Sequence, residues 1–357
     1  MVTELITEGI SKLIEGNNLT STEATEIMNE IMSGKASEAQ IAALLTALRI
    51  KGETVDEITA LALTMRKFCH QIHPKNKTTI VDTCGTGGDK IKTFNISTIA
   101  AIVAAGAGIT IAKHGNRSVT SHCGSADVLE ALGFNLKMAP DLVEKSIENI
   151  NIGFMFAPTF HPAMKYAINP RREIKIRTVF NILGPLTNPA NAKTQLLGVY
   201  DSQLTEPLAN VLSNLGTEKA LVVHGLDGLD EISTIGQTRI TSLKDGEIST
   251  SNFSPEDLGA RVIEKKDIAG SSPAECAATT YRLLNSNINS ENNPTLNMAI
   301  VNAAAAIYLG SNAETIKECI DPARESIRSG SAYKKLRSLI EFSQGDISKL
   351  EEMEKHE

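Results

Sequence analysis

The chain has 357 residues, of which 41% are apolar and 22% charged, and its formal net charge is −7. This composition is typical of a folded protein of one or two domains, and the negative charge argues against a general nucleic-acid binder. No apolar run is long enough to span a membrane, and the N-terminus lacks the pattern of a signal peptide. Five widely spaced cysteines without a CxxC pair predict reduced thiols in the cytoplasm, not disulfides or a zinc site.

Residues 1–72 are predicted to be helical throughout and to form a small N-terminal domain. Apolar residues recur at helical spacing, as in Leu5, Ile6 and Ile10. Residues that commonly cap helices precede three further apolar-periodic stretches. These caps are Thr20 or Ser21, Ser37, and Thr54.

From residue 73 to residue 357 the pattern changes to alternating strands and helices. Apolar runs predict strands at residues 79–82, 109–112, 152–156, 195–199 and 220–224, with β-like pieces near Ile240 and Ile248. Helices are predicted at residues 96–105, 126–132, 141–149, 204–215, 274–284, 296–309 and 313–329, and residues 351–357 are predicted to fray. The predicted fold class is α/β, with a small helical domain and a larger domain whose mostly parallel central sheet is flanked by helices.

A further helix is predicted to begin at Asn169 and Pro170, because Asn caps helices well and Pro is tolerated in the first turn. Arg171 and Arg172 would then lie in the first turn, where their charges oppose the helix dipole at a cost of roughly a few tenths of a kcal/mol. A bound carboxylate would explain this placement of arginine, and an internal salt bridge would explain it equally well.

The first of two polar loops is rich in glycine. Residues 82–89 (DTCGTGGD) follow a predicted strand and lead into residues 95–98 (NIST), which can cap the next helix. The spacing matches neither a P-loop nor a dinucleotide-binding fingerprint. Three glycines nevertheless allow the backbone to turn sharply and to present N–H groups to an anion. Taken alone, the pattern fits a simple strand-to-helix turn as well as a phosphate site.

The second loop, residues 113–121 (KHGNRSVTS), places cationic and polar side chains after the next predicted strand, and another helix begins near Ser125. Lysine supplies a point charge for phosphate, while Asn and Ser supply neutral donors. A solvated surface turn is the alternative interpretation. Because the carboxyl ends of parallel strands lie at one edge of a sheet, we expect both loops to line one crevice that holds a phosphorylated substrate.

A candidate magnesium site lies after the predicted strand at residues 220–224. There, residues 227–233 (DGLDEIS) contain the adjacent carboxylates Asp230 and Glu231, and Ser97 could add a hydroxyl oxygen. Mg²⁺ prefers such oxygen ligands and often accompanies phosphates, although an acidic pair on a loop is more often simply solvated. The chain contains no HExxH or GxSxG motif and no Cys–His nucleophile pattern, which argues against metallohydrolase and acyl-enzyme chemistry.

Together with residues 124–130 (GSADVLE) and 181–189 (NILGPLTNP), these motifs closely resemble those of the anthranilate phosphoribosyltransferase family (glycosyltransferase family 3, with the nucleoside phosphorylase-like fold), in order and over nearly the whole chain. The resemblance implies a homodimer formed through the helical domain, which helices around residues 165–190 would join in space. It implies that residues 73–357 bind phosphoribosyl pyrophosphate. The reaction would be Mg²⁺-dependent transfer of its 5-phosphoribosyl group to the amine of anthranilate in tryptophan biosynthesis, with two ions per active site.

Carried over position by position, the resemblance assigns residues to three ligands. Phosphoribosyl pyrophosphate would be held by Gly85, Gly88, Asp89, Thr93, Asn95, Ile96, Ser97, Thr98, Lys113, Ser121 and Ser125. Anthranilate would be contacted by Gly85, His114, Asn116, His161 and Arg171, and Mg²⁺ would be held by Ser97, Asp230 and Glu231. No general base is expected, and Lys113, Asn116 and Arg171 would position the reacting groups.

One departure from the family pattern lies beside the second loop. His122 and Cys123 stand where we expect a basic residue and a serine, so the phosphate environment would be less basic. Two other interpretations stay open: a pyrimidine nucleoside phosphorylase of the same architecture, and a non-catalytic relative that binds nucleic acid. The first carries a different loop signature, and the negative net charge and the intact acidic pair count against the second.

Overall fold

The computed structural model describes residues 4–75, 78–88, 91, 93–118, 123–264, 272–285 and 293–355. The α-helices are α1 Glu4–Ile14, α2 Ser21–Met32, α3 Glu38–Lys51, α4 Val55–Lys67, α5 Ile96–Gly106, α6 Ser125–Ala131, α7 Pro140–Ile150, α8 Ala157–Phe160, α9 Lys165–Ile174, α10 Phe180–Leu183, α11 Thr205–Asn214, α12 Pro273–Asn285, α13 Pro294–Gly310, α14 Ile320–Arg328, α15 Ser331–Phe342 and α16 Ser348–Lys355. The strands are β1 Ile80–Gly85, β2 Thr110–Gly115, β3 Ile152–Phe156, β4 Thr194–Gly198, β5 Lys219–Gly225, β6 Thr238–Lys244 and β7 Glu247–Phe253. Single 3₁₀ turns lie at Pro162–Met164, Ser202–Leu204 and Lys317–Cys319.

Helices α1–α4 form a bundle whose second, third and fourth helices begin at side-chain caps. Thr20, Ser37 and Thr54 each accept a hydrogen bond of 3.2 Å from the backbone N–H three residues later. The side chain of that later residue accepts a hydrogen bond from the cap backbone N–H in return. These reciprocal capping boxes confirm the predicted starts and identify Thr20, not Ser21, as the cap of α2.

Glu57 is a fully buried carboxylate that links parts of this bundle. It accepts hydrogen bonds from the backbone N–H groups of Leu19 and Thr54, both at 2.8 Å, and pairs with Lys51 at 2.9 Å. Glu57→Ala would leave the buried N–H of Leu19, the partly buried N–H of Thr54 and the largely buried Lys51 ammonium without this partner, so we expect the free energy of unfolding to fall by roughly 3 kcal/mol. Urea unfolding tests this. The capping-box residue Glu23, whose carboxylate is partly exposed, is the control, with an expected loss of about 1 kcal/mol for Glu23→Ala. Equal losses in the two variants would contradict the prediction.

Within the described residues the strands form one sheet in the order β3-β2-β1-β4-β5-β6-β7. Strands β1 to β5 are parallel, and β6 and β7 add an antiparallel hairpin at one edge, which confirms the predicted mostly parallel sheet. The chain runs outward from β1 through β2 to β3 and then crosses to β4 on the other side of β1. The carboxyl ends of β1 and β4 therefore form the topological switch point at which such sheets bind ligands.

Helices cover both faces of the sheet. Helices α5, α12, α13, α14 and α15 contribute to one apolar cluster, with β1, β2 and β3. A second apolar cluster is continuous from the bundle through α10 and α11 to the side chains of β4 and β5 on the other face. Helix α9 packs on α2 and α3 of the bundle. The bundle is therefore held, through α10 and α11, against the face of the sheet that carries the second apolar cluster. No helix in the described ranges has both the length and the apolar character needed to cross a bilayer.

The C-terminal prediction of one helix at residues 313–329 is partly wrong. A 3₁₀ turn at Lys317–Cys319 precedes α14, whose first turn contains Pro322, and proline favours the first turn of a helix over its interior. Helices α15 and α16 are additional to the predicted elements. Residues 351–355, which are predicted to fray, belong to α16, and residues 356–357 lie outside the described part of the chain.

The predicted helix start at Asn169 is also wrong. Helix α9 begins at Lys165, directly after the 3₁₀ turn at Pro162–Met164, so Pro170 lies inside the helix, where it is buried. Packing against the bundle has overridden the local preference of proline. Arg171 and Arg172 consequently lie in the last turn of α9, where positive charges favour the helix dipole, so the expected opposition to the dipole is absent.

Candidate active site

A cavity of about 280 Å³, the inner cavity, lies at the carboxyl ends of β1 and β2 and is lined by both polar loops. The predicted site residues that line it are Gly85, Gly88, Asn95, Ser97, Thr98, Lys113, His114, Asn116, Ser125 and Arg171. The predicted residues that do not line it are Thr93, Ile96, His161, Asp230 and Glu231. Asp89 and Ser121, like His122, lie outside the described residues. The two loops therefore converge as expected.

The first glycine-rich loop, residues 85–88, is tied to the end of β4. The backbone N–H of Thr86 donates to the carbonyl oxygen of Gly198 at 2.9 Å, and the Thr86 hydroxyl accepts from the N–H of Tyr200 at 3.1 Å. Gly87 and Gly88 adopt φ values of +66° and +83°, which glycine alone adopts at little cost. The loop is thus a fixed turn whose backbone faces the inner cavity.

The start of α5 differs from the predicted cap. The side chain of Asn95 does not bond to the helix; its Nδ2 donates to the carbonyl oxygen of Cys123 at 3.1 Å and so joins the two loops. The Asn95 Oδ1 atom is buried without a hydrogen-bond partner. A carboxylate from a distant loop replaces the missing cap, because the N–H of Ser97 donates to Glu231 Oε1 at 3.1 Å.

Asp230 and Glu231 follow β5 and reach the first loop and the start of α5. Glu231 accepts the hydrogen bond from the Ser97 N–H, and a Cβ atom on Gly85 would lie only 2.9 Å from Asp230 Oδ2. The structure therefore brings Glu231 to the backbone of Ser97 and Asp230 to the first loop at Gly85, and the oxygen-only donor set suits Mg²⁺. In the parts of the chain that are described, no three His, Cys, Asp or Glu side chains cluster tightly enough to hold a metal by themselves.

Lys113 is buried in β2 and points its ammonium group at the first loop and α5. Its Nζ donates to the carbonyl oxygen of Thr83 at 2.5 Å and to Ser97 Oγ at 3.2 Å. Burial lowers the pKa of Lys113, and burial raises the pKa of the nearby Asp82 carboxyl. Lys113 Nζ therefore lies beside the inner cavity, and an anion bound there would favour the protonated form of the lysine in this low-dielectric environment.

In the second loop, Arg117 is held by carboxylates of α6. Its guanidinium lies 2.9 Å from Asp127 and 2.7 Å from Glu130, and Ser125 Oγ donates to the carbonyl oxygen of Asn116 at 3.3 Å. These bonds fix the loop against the start of α6 and satisfy the charge of Arg117. Lys113, by contrast, donates to a carbonyl and a hydroxyl oxygen, and none of the salt bridges among the described residues involves it.

His114 and His161 form a buried pair beside the inner cavity, with ring centroids 5.0 Å apart. Burial, with a smaller contribution from the charge of His70, lowers the pKa of His161 to about 4. Burial and the neighbouring His161 hold the pKa of His114 well below its ordinary value. Both imidazoles are therefore neutral at pH 7.

The depressed pKa of His161 predicts a loss of stability in mild acid. The folded state disfavours the charged His161 ring. The contribution of this residue to the stability of the folded protein is therefore complete above the unfolded pKa of 6.5 and is lost as the pH falls towards about 4. Between about pH 7.5 and about pH 5 we expect the free energy of unfolding to fall by about 2 kcal/mol through this residue. Urea unfolding of the wild type and His161→Gln at both pH values measures it. Identical pH dependence in the two proteins would contradict the prediction.

Helices α9 and α10 form the opposite wall of the inner cavity. The guanidinium of Arg171 lies 5.3 Å from the ring centroid of Phe180, and burial lowers the pKa of Arg171. No carboxylate within the described ranges pairs with it, so the alternative of an internal salt bridge is not found there. A partly buried cation without a counter-charge carries a desolvation cost that a bound anion would offset.

Arg177, which is not among the predicted site residues, also lines the inner cavity. Its Nη2 donates to the carbonyl oxygen of Gly88 at 2.6 Å, and its guanidinium lies 4.3 Å from the ring centroid of Tyr200. The signal in the sequence is the cationic segment at residues 171–177 (RREIKIR), of which only the first two arginines enter the prediction. Phe180 and Asn181 also line the inner cavity without being predicted, because nothing in their local pattern indicates a cavity wall.

A larger outer cavity of about 710 Å³ adjoins the inner one and shares Asn116, Arg171, Arg177 and Asn181 with it. Its remaining lining residues are Ser118, Ile168, Arg172, Lys175 and Ile176. No acidic side chain in the described ranges lines it. The approach to the inner cavity is therefore electropositive although the chain carries a net charge of −7.

Known proteins share both parts of this architecture. Residues 7–69 match the helical bundle domain of a glycosyl transferase family, and residues 77–333 match the a/b domain of that family. Anthranilate phosphoribosyltransferase of Acetivibrio thermocellus is 49% identical over 96% of this chain and 98% of its own length. The enzyme of Alkaliphilus metalliredigens is 50% identical over 95% of this chain and 99% of its own length.

Solved structures show the same relationship. The crystal structure of anthranilate phosphoribosyltransferase from Thermus thermophilus has a TM-score of 0.87 and 39% identity, covering 94% of this chain and 99% of that one. The Saccharomyces cerevisiae enzyme in complex with PRPP and Mg has a TM-score of 0.87 and 30% identity, covering 95% of this chain and 98% of that one. With both domains matched in order and about half of the residues identical over nearly its whole length, the chain belongs to the anthranilate phosphoribosyltransferase family.

Proposed function

We propose that the inner cavity transfers the 5-phosphoribosyl group from phosphoribosyl pyrophosphate to the amine of anthranilate and releases pyrophosphate, the reaction of this family in tryptophan biosynthesis. The observation that carries the proposal is that two chemically different walls of the inner cavity face each other. One wall presents backbone N–H groups, a helix start and Lys113, which suit phosphates. The other presents Arg171 without an acidic partner among the described residues, which suits a carboxylate.

On the donor side, we assign phosphoribosyl pyrophosphate to the first glycine-rich loop, the start of α5, Lys113 and Ser125. Mg²⁺, proposed as two ions, would be held by Ser97, Asp230 and Glu231, and further ligands would come from the donor phosphates. When bound, Mg²⁺ neutralises the negative charge of the departing pyrophosphate. The residues of this chain hold the donor in one orientation.

On the acceptor side, we assign the anthranilate carboxylate to Arg171 and Asn116. His114 lies between Lys113 and Asn116 in the chain. Its neutral imidazole adds no further charge beside the carboxylate. The ring of His161 packs against the ring of His114. The anthranilate amine is a neutral nucleophile, so orientation supplies most of what this step requires and no strong general base is assigned.

We also propose that the protein is a cytoplasmic homodimer formed through the helical bundle. Two bundle residues, Ile14 and Ile50, are large apolar side chains with 74% and 82% of their surface exposed, and Leu5 and Leu63 are also exposed. Burying such side chains between two copies would be favourable. Analytical ultracentrifugation should show a dimer at micromolar concentration, and a monomer there would contradict this assignment.

The proposed reaction is tested by following anthranilate fluorescence. We expect the signal to decay only when enzyme, phosphoribosyl pyrophosphate and Mg²⁺ are all present. A signal that persists with correctly folded protein would overturn the proposal. Phosphate-dependent cleavage of a pyrimidine nucleoside would then favour the phosphorylase alternative, and salt-sensitive binding of single-stranded DNA without turnover would favour the nucleic-acid binder.

A further inference from the structure

We propose that Arg177 is a positioning residue that clamps the first glycine-rich loop, residues 85–88, and thereby sets how the enzyme uses phosphoribosyl pyrophosphate. The clamp consists of the Arg177 guanidinium, the Tyr200 ring on which it stacks and the Gly88 carbonyl to which it donates. This inference rests on the proposed function of the inner cavity, because it assigns that loop to the phosphates of the donor.

The geometry of the clamp is specific to arginine opposite glycine. Nη2 of Arg177 lies 2.6 Å from the carbonyl oxygen of Gly88, while the guanidinium plane covers the Tyr200 ring at 4.3 Å from its centroid. A Cβ atom on Gly88 would lie 2.9 Å from the same Nη2 atom. A side chain at position 88 would therefore displace the guanidinium, and the φ of +83° at Gly88 also favours glycine there. The combination of stacking and donation requires a planar guanidinium.

The clamp acts on a loop that is already attached on one side. The N–H of Tyr200 donates to the Thr86 hydroxyl, so the backbone of Tyr200 holds the first half of the loop while its ring supports Arg177 over the second half. Without Arg177, the described contacts of Gly88 with the opposite wall would be lost. We therefore expect the second half of the loop to become more mobile while the first half stays in place.

The position of Arg177 in the chain connects the two substrate sites. Arg177 follows the end of α9, which packs on the bundle and carries Arg171 in its last turn. The residue proposed to hold the acceptor and the residue that clamps the donor loop thus lie on one short segment. The segment fixes the distance between the glycine-rich loop and the acceptor wall, because Arg177 spans the cavity mouth to reach Gly88.

Four variants separate the parts of the clamp. Arg177→Gln keeps a donor and removes the charge and the stacking, whereas Arg177→Lys keeps the charge alone. Tyr200→Leu removes the stacking face, whereas Tyr200→Phe keeps it. We expect Arg177→Gln to raise the KM for phosphoribosyl pyrophosphate about tenfold or more, with Arg177→Lys and Tyr200→Leu intermediate and Tyr200→Phe close to the wild type.

The readouts distinguish positioning from a general loss of structure. We expect kcat and the KM for anthranilate to change by less than about threefold in Arg177→Gln, and the melting temperature to stay near that of the wild type. Arg324→Gln, which removes an exposed cation on α14 that lines neither cavity, is the control and should leave the KM for phosphoribosyl pyrophosphate unchanged. Equal effects on both substrates would overturn the proposal.

Hydrogen–deuterium exchange makes the test independent of turnover. The peptide that contains residues 85–88 should exchange faster in Arg177→Gln than in the wild type, and unchanged exchange would overturn the clamp. Turnover by the wild type in the same preparation tests the proposed function separately. An inactive wild type would overturn the proposed function. An active wild type, with the KM for phosphoribosyl pyrophosphate unaltered in Arg177→Gln, would overturn the clamp alone.

Discussion

Turnover should fall about a hundredfold in Asp230→Asn and in Glu231→Gln, and the Mg²⁺ concentration needed for half-maximal rate should rise about tenfold or more. Each substitution removes one negative charge from the oxygen-donor set next to Ser97 without changing the size of the side chain. Glu231→Gln also keeps an oxygen that can accept the hydrogen bond from the Ser97 N–H. We therefore expect weaker binding of Mg²⁺ and slower departure of pyrophosphate. Steady-state kinetics with Mg²⁺ as the varied component measures both effects.

Asp227 provides the matched control for this acidic pair. It lies on the same loop and carries the same charge, but its carboxylate accepts hydrogen bonds within the turn, from the Ser233 hydroxyl and the Leu229 N–H. Asp227→Asn should leave the Mg²⁺ requirement unchanged. Unchanged turnover in both Asp230→Asn and Glu231→Gln would discard the metal role assigned to the pair.

Arg171→Gln should raise the KM for anthranilate between about tenfold and about a hundredfold, which corresponds to the loss of a charge-assisted, bidentate contact with the carboxylate. The free energy of unfolding should stay the same or rise slightly. Arg171 has no acidic partner within the described residues and its charge is partly buried, so removing the charge relieves a desolvation cost. This combination of weaker binding and unimpaired stability is the signature of a ligand-binding cation.

The adjacent residue Arg172 is the control for Arg171. It is exposed, stands in the same helix turn and does not line the inner cavity. Arg172→Gln should change the KM for anthranilate by less than about threefold. A clear loss of stability in Arg171→Gln, or an effect confined to phosphoribosyl pyrophosphate, would contradict the assignment of Arg171 to the acceptor carboxylate.

Local patterns were sufficient where a segment interacts mainly with itself. The capping boxes at Ser37 and Thr54 lie within four residues, so their hydrogen bonds can be predicted from spacing alone. The apolar run at residues 152–156 coincides with β3. Strand β1 extends beyond its predicted end at residue 82, because Thr83 and Cys84 pair with β4 although the run of apolar residues has stopped.

Contacts between distant segments could not be predicted in this way. Glu231 takes the place of Asn95 as acceptor at the start of α5, and the two residues are far apart in the chain. The clamp formed by Arg177 and Gly88 likewise joins segments 89 residues apart. Nothing in the local spacing of such residues distinguishes a side chain that crosses a cavity from one that is solvated.

The sequence by itself determined the alternating α/β order, the caps of α3 and α4, the two polar loops and the chemistry that their side chains offer, because these depend on periodicity and on neighbours a few residues away. The tertiary structure alone decided that Arg171 ends its helix instead of beginning it, that Asn95 joins the two loops instead of capping α5, and that Arg177 reaches Gly88. Packing and long-range hydrogen bonds stabilise these arrangements by more than local propensity opposes them.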